Sequence, residues 1–320
     1  MNQHRITPLT ESGLLAALTV VLALAAVYLP VVGIVAALIW ALPLIVLVVR
    51  HGMRWGVMAV VVSGIIMALL IEPMLSLRMV ISFAPTGLAL GYAFRKGWSG
   101  GKTFGMALAA SLLGKLAALG LLFAVTAVNP LSMEVDVVRE SFDTAFQMYE
   151  TMGIDAATLQ QSREEIENGL GMLAMLMPLV VIMMGMVDTV IGYMVGSRVL
   201  RRLGMPVSQF PPFAEWRLPQ FFLYLFGFAL IGLYWGGTRD IQWLYQAALN
   251  ANMLAIFAGL IQGFSLAHCL MRHYRLAGVV RAFIYLMIVM NGFLTQLVAM
   301  TGLIDMLFDY RRRFAGRSKK

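Results

Sequence analysis

Apolar stretches recur along this chain with little interruption, near residues 12–29, 31–49, 55–71, 77–94, 103–128, 172–197, 218–236 and 243–271. A longer one follows from 278 to 308. A hydrocarbon core of roughly 30 Å takes about 20 apolar residues as helix. Backbone groups have to pair internally in lipid, and the alternating apolar–polar strands of a membrane barrel are absent. The pattern therefore predicts an all-α, polytopic transmembrane helical bundle. The first stretch follows His4 and Arg5 and contains Ala23-Leu24-Ala25, which imitates a signal-peptidase site. Pro30 and a second apolar stretch come at once, a spacing that suits a membrane hairpin better than a cleaved leader.

Charge placement orients the spans. Basic residues gather at alternate loops: His4/Arg5, Arg50/Arg54, Arg95/Lys96/Lys102, Arg198/Arg201/Arg202/Arg217 and Arg272/Arg275/Arg281. Lys and Arg in short loops mark the cytoplasmic side, so the N-terminus belongs inside, with eight crossings through residue 271. The opposite loops, around Pro30, around Glu72–Ser76 and from Asn129 to Gly171, belong outside, and the membrane is expected to be the cell's inner (cytoplasmic) one. The tail, Arg311-Arg312-Arg313 and Lys319-Lys320, also asks for the cytoplasm. One more straight crossing puts it on the wrong side, so a hairpin broken at Asn291-Gly292 is favoured in 278–308, giving ten membrane segments, against nine for a single crossing. A single tilted helix is the alternative.

The loop 129–171 holds nine acidic residues against Arg139 and Arg163. Val135, Val138, Phe142, Ala145, Phe146 and Tyr149 share one helical face, and acids occupy the other, which predicts an amphipathic helix. Asp155 is placed to cap a second, more polar helix reaching about Gly169. Two readings fit, a helix resting on lipid headgroups and a lid over an outward-facing mouth.

Composition sharpens the chemistry. The chain is 60% hydrophobic and 12% charged, yet Lys115 and Asp188 sit in the middle of apolar spans. Ionisable groups at bilayer depth are costly and face partners or cavities. Lys115 lies 13 residues from Lys102, and Asp188 lies 10 from Arg198, depths of about 20 and 15 Å along a helix. The difference is within a lysine's reach, so an ion pair between spans five and six is expected, either fixing helix register or lining a ligand cavity. Pro85-Thr86-Gly87 interrupts the fourth span at mid-depth, where a kink exposes backbone groups. Gly87–Gly91, Gly192–Gly196, Gly259–Gly263 and the series Ala110, Gly114, Ala118 let helix backbones approach closely. Asn250, Gln262, His268, Asn291 and Asp305 read as interhelical hydrogen-bonding groups.

Several classes are excluded. The net charge of +8 is distributed as topology signals rather than as a nucleic-acid surface. One cysteine and four separated histidines offer no disulfide and no metal spacing. No Walker loop or cytosolic domain is present, so no enzyme activity, cofactor or metal is expected. Any coupling to ATP has to come from a partner. A membrane-embedded lipid enzyme using Asp188 or Glu72 lacks a second convergent acid.

The opening Leu9-Thr10-Glu11-Ser12-Gly13-Leu14-Leu15-Ala16-Ala17-Leu18-Thr19, the Pro30-Val-Val-Gly33 turn and Pro85-Thr-Gly-Leu-Ala-Leu-Gly-Tyr-Ala-Phe-Arg-Lys96 resemble bacterial YybS-family membrane proteins. The ending Thr301-Gly-Leu-Ile-Asp305-Met-Leu-Phe-Asp309-Tyr-Arg311-Arg-Arg313 is the most specific part of that match. The family is one of unknown function. The first six spans also resemble the substrate-binding S component of energy-coupling factor transporters. That resemblance implies a six-helix unit over residues 1–202, with residues 203–320 as added helices and a basic tail. It implies a small-molecule ligand taken from outside and held near Glu72, Arg78, Asn129 and the outer half of span six, together with Lys115 and Asp188. It also implies a transmembrane coupling subunit with ATPases, docked on Ser12, Gly13, Ala16 and Ala17. The long acidic loop and the extra C-terminal spans depart from that pattern. The rival class is a membrane scaffold that transports nothing and recruits cytosolic partners through its basic loops and tail.

Overall fold

A computed structural model describes residues 8–153, 155–205, 207 and 210–311. The His4/Arg5 cluster and most of the basic tail lie outside the described residues. Among those described, regular structure is entirely helical. Eight helical spans are long and apolar enough to cross a membrane, or nine if one bent pair is a single span. They fall on the stretches read from the sequence. The chain divides into two compact units, residues 1–160 with 180–210, and residues 161–179 with 211–320.

In the first unit, α1 (Pro8–Tyr28) precedes a span broken into α2 (Pro30–Ile39) and α3 (Leu42–His51), then α4 (Met53–Leu70), α5 (Pro73–Arg95) and α6 (Gly100–Thr126). The break at Trp40-Ala41 is a departure from the single helix expected over 31–49. Pro43 in the first turn of α3 has no N–H to continue the ladder from Ile39. Trp40 is fully buried there, in a core with Ala16, Val20, Ala23, Leu44, Met67 and Ala84. A second core joins Ile45, Leu90, Phe94 and Ala107 to Tyr193 and Leu200.

The glycine pairs are used for packing within each unit. A Cβ at Gly91 would lie 2.6 Å from Val48 Cβ, and one at Gly192 would lie 2.9 Å from Leu90 Cδ1. Helix α5 continues through Pro85. The proline leaves the Ile81 carbonyl without its helical donor. Gly114 of α6 nests on that carbonyl, since a Cβ there would sit 2.6 Å from the Ile81 oxygen.

The acidic loop is helical, as the pattern predicts, but it ends differently. Asn129 caps α7 (Pro130–Thr151) by accepting from the Leu131 N–H at 3.0 Å. Val135 and Phe146 of its apolar face are buried, whereas Phe142 and Tyr149 stay exposed. Asp155 caps the next helix through the Thr158 N–H at 3.2 Å. That helix does not stop near Gly169. It runs on as α8 (Ala156–Arg202), 47 residues without a break. A helical glycine costs only about 1 kcal/mol relative to alanine, and Gly169 and Gly171 have open space around them.

The second unit contains residues 161–179 of α8, a short 3₁₀ turn at Phe213–Glu215, α9 (Phe221–Thr238), α10 (Gln242–His273), α11 (Gly278–Met290) and α12 (Gly292–Phe308). The break in 278–308 falls at Asn291, where the pair bends by 103°, so the stretch is not one straight helix. Asn291 caps α12 through the Leu294 N–H. At 13 and 17 residues, each half is shorter than the roughly 20 of a full crossing. Helices α10 and α12 cross with almost no separation: a Cβ at Gly302 would lie 1.9 Å from the Gly259 carbonyl oxygen.

Candidate functional site

The two intramembrane charges meet. Lys115 of α6 and Asp188 of α8 form an ion pair inside the first unit, with side chains 8% and 13% exposed. The register that brings them together is set by small residues. Gly114 seats α6 on α5, and a Cβ at Gly185, three residues before Asp188, would meet Leu112 Cδ2 at 2.7 Å. The Lys115 ammonium also stands 4.7 Å over the Phe83 ring of α5, a favourable place for a desolvated cation. Phe83 packs in turn on Trp40, with centroids 6.0 Å apart.

This polar position is not internally satisfied. Trp40 Nε1, Thr86 Oγ1 and Ser111 Oγ are buried and have no hydrogen-bond partner. Thr86 follows Phe83 by three residues and Ser111 precedes Lys115 by four, so each shares a helix face with a member of the aromatic–ionic chain. Ser111 Oγ lies 3.5 Å from where a Gly185 Cβ would be. By contrast Thr189, next to Asp188, donates back to the Gly185 carbonyl at 2.8 Å. A buried unsatisfied hydroxyl costs on the order of 1–3 kcal/mol. Both hydroxyls lie on the helices that carry the aromatic–ionic chain, Thr86 on α5 and Ser111 on α6.

The other expected binding residues stand apart in character. Glu72 is exposed at the N-cap of α5, and Arg78 is half-buried in the second turn of that helix. Asn129 is exposed, and its amide oxygen is used in capping α7. Of the docking candidates, Ser12 and Ala16 are buried within the first unit, whereas Gly13 and Ala17 are exposed. Nothing lies within 4 Å of a Cβ placed on Gly13.

One ionic cluster escaped the sequence reading. Glu11, 7% exposed on α1, pairs with Arg50 and, at 2.6 Å, with His51 Nε2 at the end of α3. Nearby, Arg95 donates to the Val48 carbonyl at 3.3 Å. Its guanidinium fills the space beside Gly52, whose φ of +98° suits glycine. The available signal was a lone acid at the entry of an apolar span, on the same side as a basic loop.

The second unit has its own polar core. Gln262 donates to Asp305 at 2.7 Å and accepts from the Leu218 N–H at 3.0 Å. Arg311, 8% exposed, donates to the Ala214 carbonyl at 2.6 Å and to Ser265 Oγ at 3.0 Å, while Arg217 pairs with Asp309. His268 Nδ1 lies 2.7 Å from the Tyr285 hydroxyl. Asp305, Asp309 and Arg311 of the distinctive C-terminal run thus tie down the 214–218 segment, Asp305 through Gln262.

Comparison with known proteins agrees with the layout. The family model described as "Predicted membrane protein (DUF2232)" matches residues 17–306. The chain belongs to that family. It is 25% identical to the "Uncharacterized protein YybS" of Bacillus subtilis (strain 168) over 323 residues, covering 98% of this chain and 99% of that protein. No solved structure matches. Members of this family are therefore described as membrane proteins, and Lys115, Asp188 and their neighbours gain no role from the comparison.

Proposed function

We propose that the first unit binds a small solute entering from the outer side, in the manner of an S component, and works in uptake with an energising membrane partner. The observation that carries this reading is the buried Lys115–Asp188 pair flanked by the unpartnered hydroxyls of Thr86 and Ser111. A purely structural ion pair is stabilised by satisfying every neighbouring polar group. This one leaves donors and acceptors over. The exposed Gly13–Ala17 edge of α1 supports a helix-docking role, because small residues one turn apart admit a partner helix closely.

Native mass spectrometry of gently purified protein tests the proposal. A small molecule should accompany the wild-type chain and be lost in the Asp188→Asn variant. Absence of any bound solute, together with cytosolic proteins captured through residues 311–320, would replace it with the scaffold reading.

A further inference from the structure

The ligand's charge can be read from the site, granted the solute-binding reading above. Lys115 and Asp188 contribute one positive and one negative charge, both largely removed from solvent. An anion that displaced Asp188 from Lys115 would leave the aspartate carboxylate buried and unpaired. A cation that displaced Lys115 would strand its ammonium in the same way. Either lone charge at bilayer depth is heavily penalised. A solute carrying both charges avoids the penalty, since it inserts between the two side chains and turns one ion pair into two.

The surrounding groups fit such a guest. An ammonium offers three donors and a carboxylate several acceptor sites, so each needs partners beyond its counter-ion. The Ser111 and Thr86 hydroxyls donate or accept, and both are buried and unpartnered. Ser111 lies one turn from Lys115 and close to α8 at Gly185, its Oγ 3.5 Å from where a Cβ on that glycine would be. Lys115 would keep its contact with the Phe83 face while changing its carboxylate partner.

We infer that the solute is a small zwitterion of the α-amino-acid class, its carboxylate taken by Lys115 and its ammonium by Asp188. Ser111 and Thr86 complete the hydrogen bonds of the two ends.

The test uses the full chain in lipid nanodiscs and three probe sets: the twenty standard amino acids, their N-acetyl derivatives (anions) and their methyl esters (cations). Binding is read as a ligand-dependent rise in unfolding temperature and confirmed by calorimetric titration. At least one free amino acid should bind saturably, with tenfold or greater preference over both of its own derivatives. Ser111→Ala should weaken it severalfold, and the electroneutral double variant Lys115→Met/Asp188→Leu should abolish it. Equal binding of a derivative, binding retained by the double variant, or no effect of any free amino acid would overturn the inference. If a co-purifying solute is found that is not zwitterionic, only this inference fails. If no solute of any kind binds, the proposed function fails with it.

Discussion

Asn250 of α10 inserts its side-chain amide into the α8 ladder beside Leu179: its Oδ1 accepts the Leu179 N–H at 2.8 Å, and its Nδ2 donates to the Met175 carbonyl at 2.7 Å. Leu179 directly follows Pro178, the one proline inside α8. A proline weakens the local ladder, and in lipid the freed groups have to be satisfied by a neighbour. Asn250 braces the rung next to the proline, bridging the Met175 carbonyl and the Leu179 N–H within the second unit.

Asn250→Leu should therefore leave the Met175 and Leu179 backbone groups short of partners, at about 1–3 kcal/mol. Amide hydrogen exchange across residues 175–180 checks this. It should accelerate at this turn while the segment around Ala258 and Leu303 stays protected. Unchanged exchange would show that the amide bridge is incidental.

For the buried pair, single and double removals should rank in an unusual order. Asp188→Leu or Lys115→Met alone strands a charge and should cost about 3–5 kcal/mol, whereas the double variant should recover most of that loss. Thermal unfolding in detergent gives the ranking. Additive losses would mean that the two groups do not act as a pair.

Glu11 holds two basic groups at the end of α3, so Glu11→Gln should lower the unfolding temperature. The loss should fall near the lower end of the 1.5–3 kcal/mol typical of charge-assisted hydrogen bonds. Arg50 is 42% exposed, and solvent screening trims its share. A variant as stable as wild type would remove Glu11 from the list of organising residues.

The glycines offer a paired control. Gly302→Ala forces α10 and α12 apart, because its new methyl would overlap the Gly259 carbonyl. Gly120→Ala meets nothing within 4 Å and should be neutral or stabilising by up to about 1 kcal/mol. Comparable losses from both substitutions would contradict the close crossing.

Much of this architecture was legible because lipid imposes a strict length and polarity rule. The spans, the cap Asp155, the break at Asn291 and the Lys115–Asp188 pair all follow from apolar run length, turn residues or buried charge. What was not legible depended on neighbours. Pro43 splits the second span, but nothing local distinguishes it from Pro85, which α5 carries unbroken. Gly169 and Gly171 resemble a helix stop, yet α8 passes through both. The Glu11 cluster joins residues about 40 positions apart, and no periodicity announces it. The buried hydroxyls of Thr86 and Ser111 look like ordinary small packing residues in the sequence.

The length of α8 has a consequence. Its 47 residues span about 70 Å at 1.5 Å each, more than twice the thickness of a hydrocarbon layer. Asp155 at its tip and Asp188 deep in the apolar region are therefore carried on one continuous helix, with Pro178 between them.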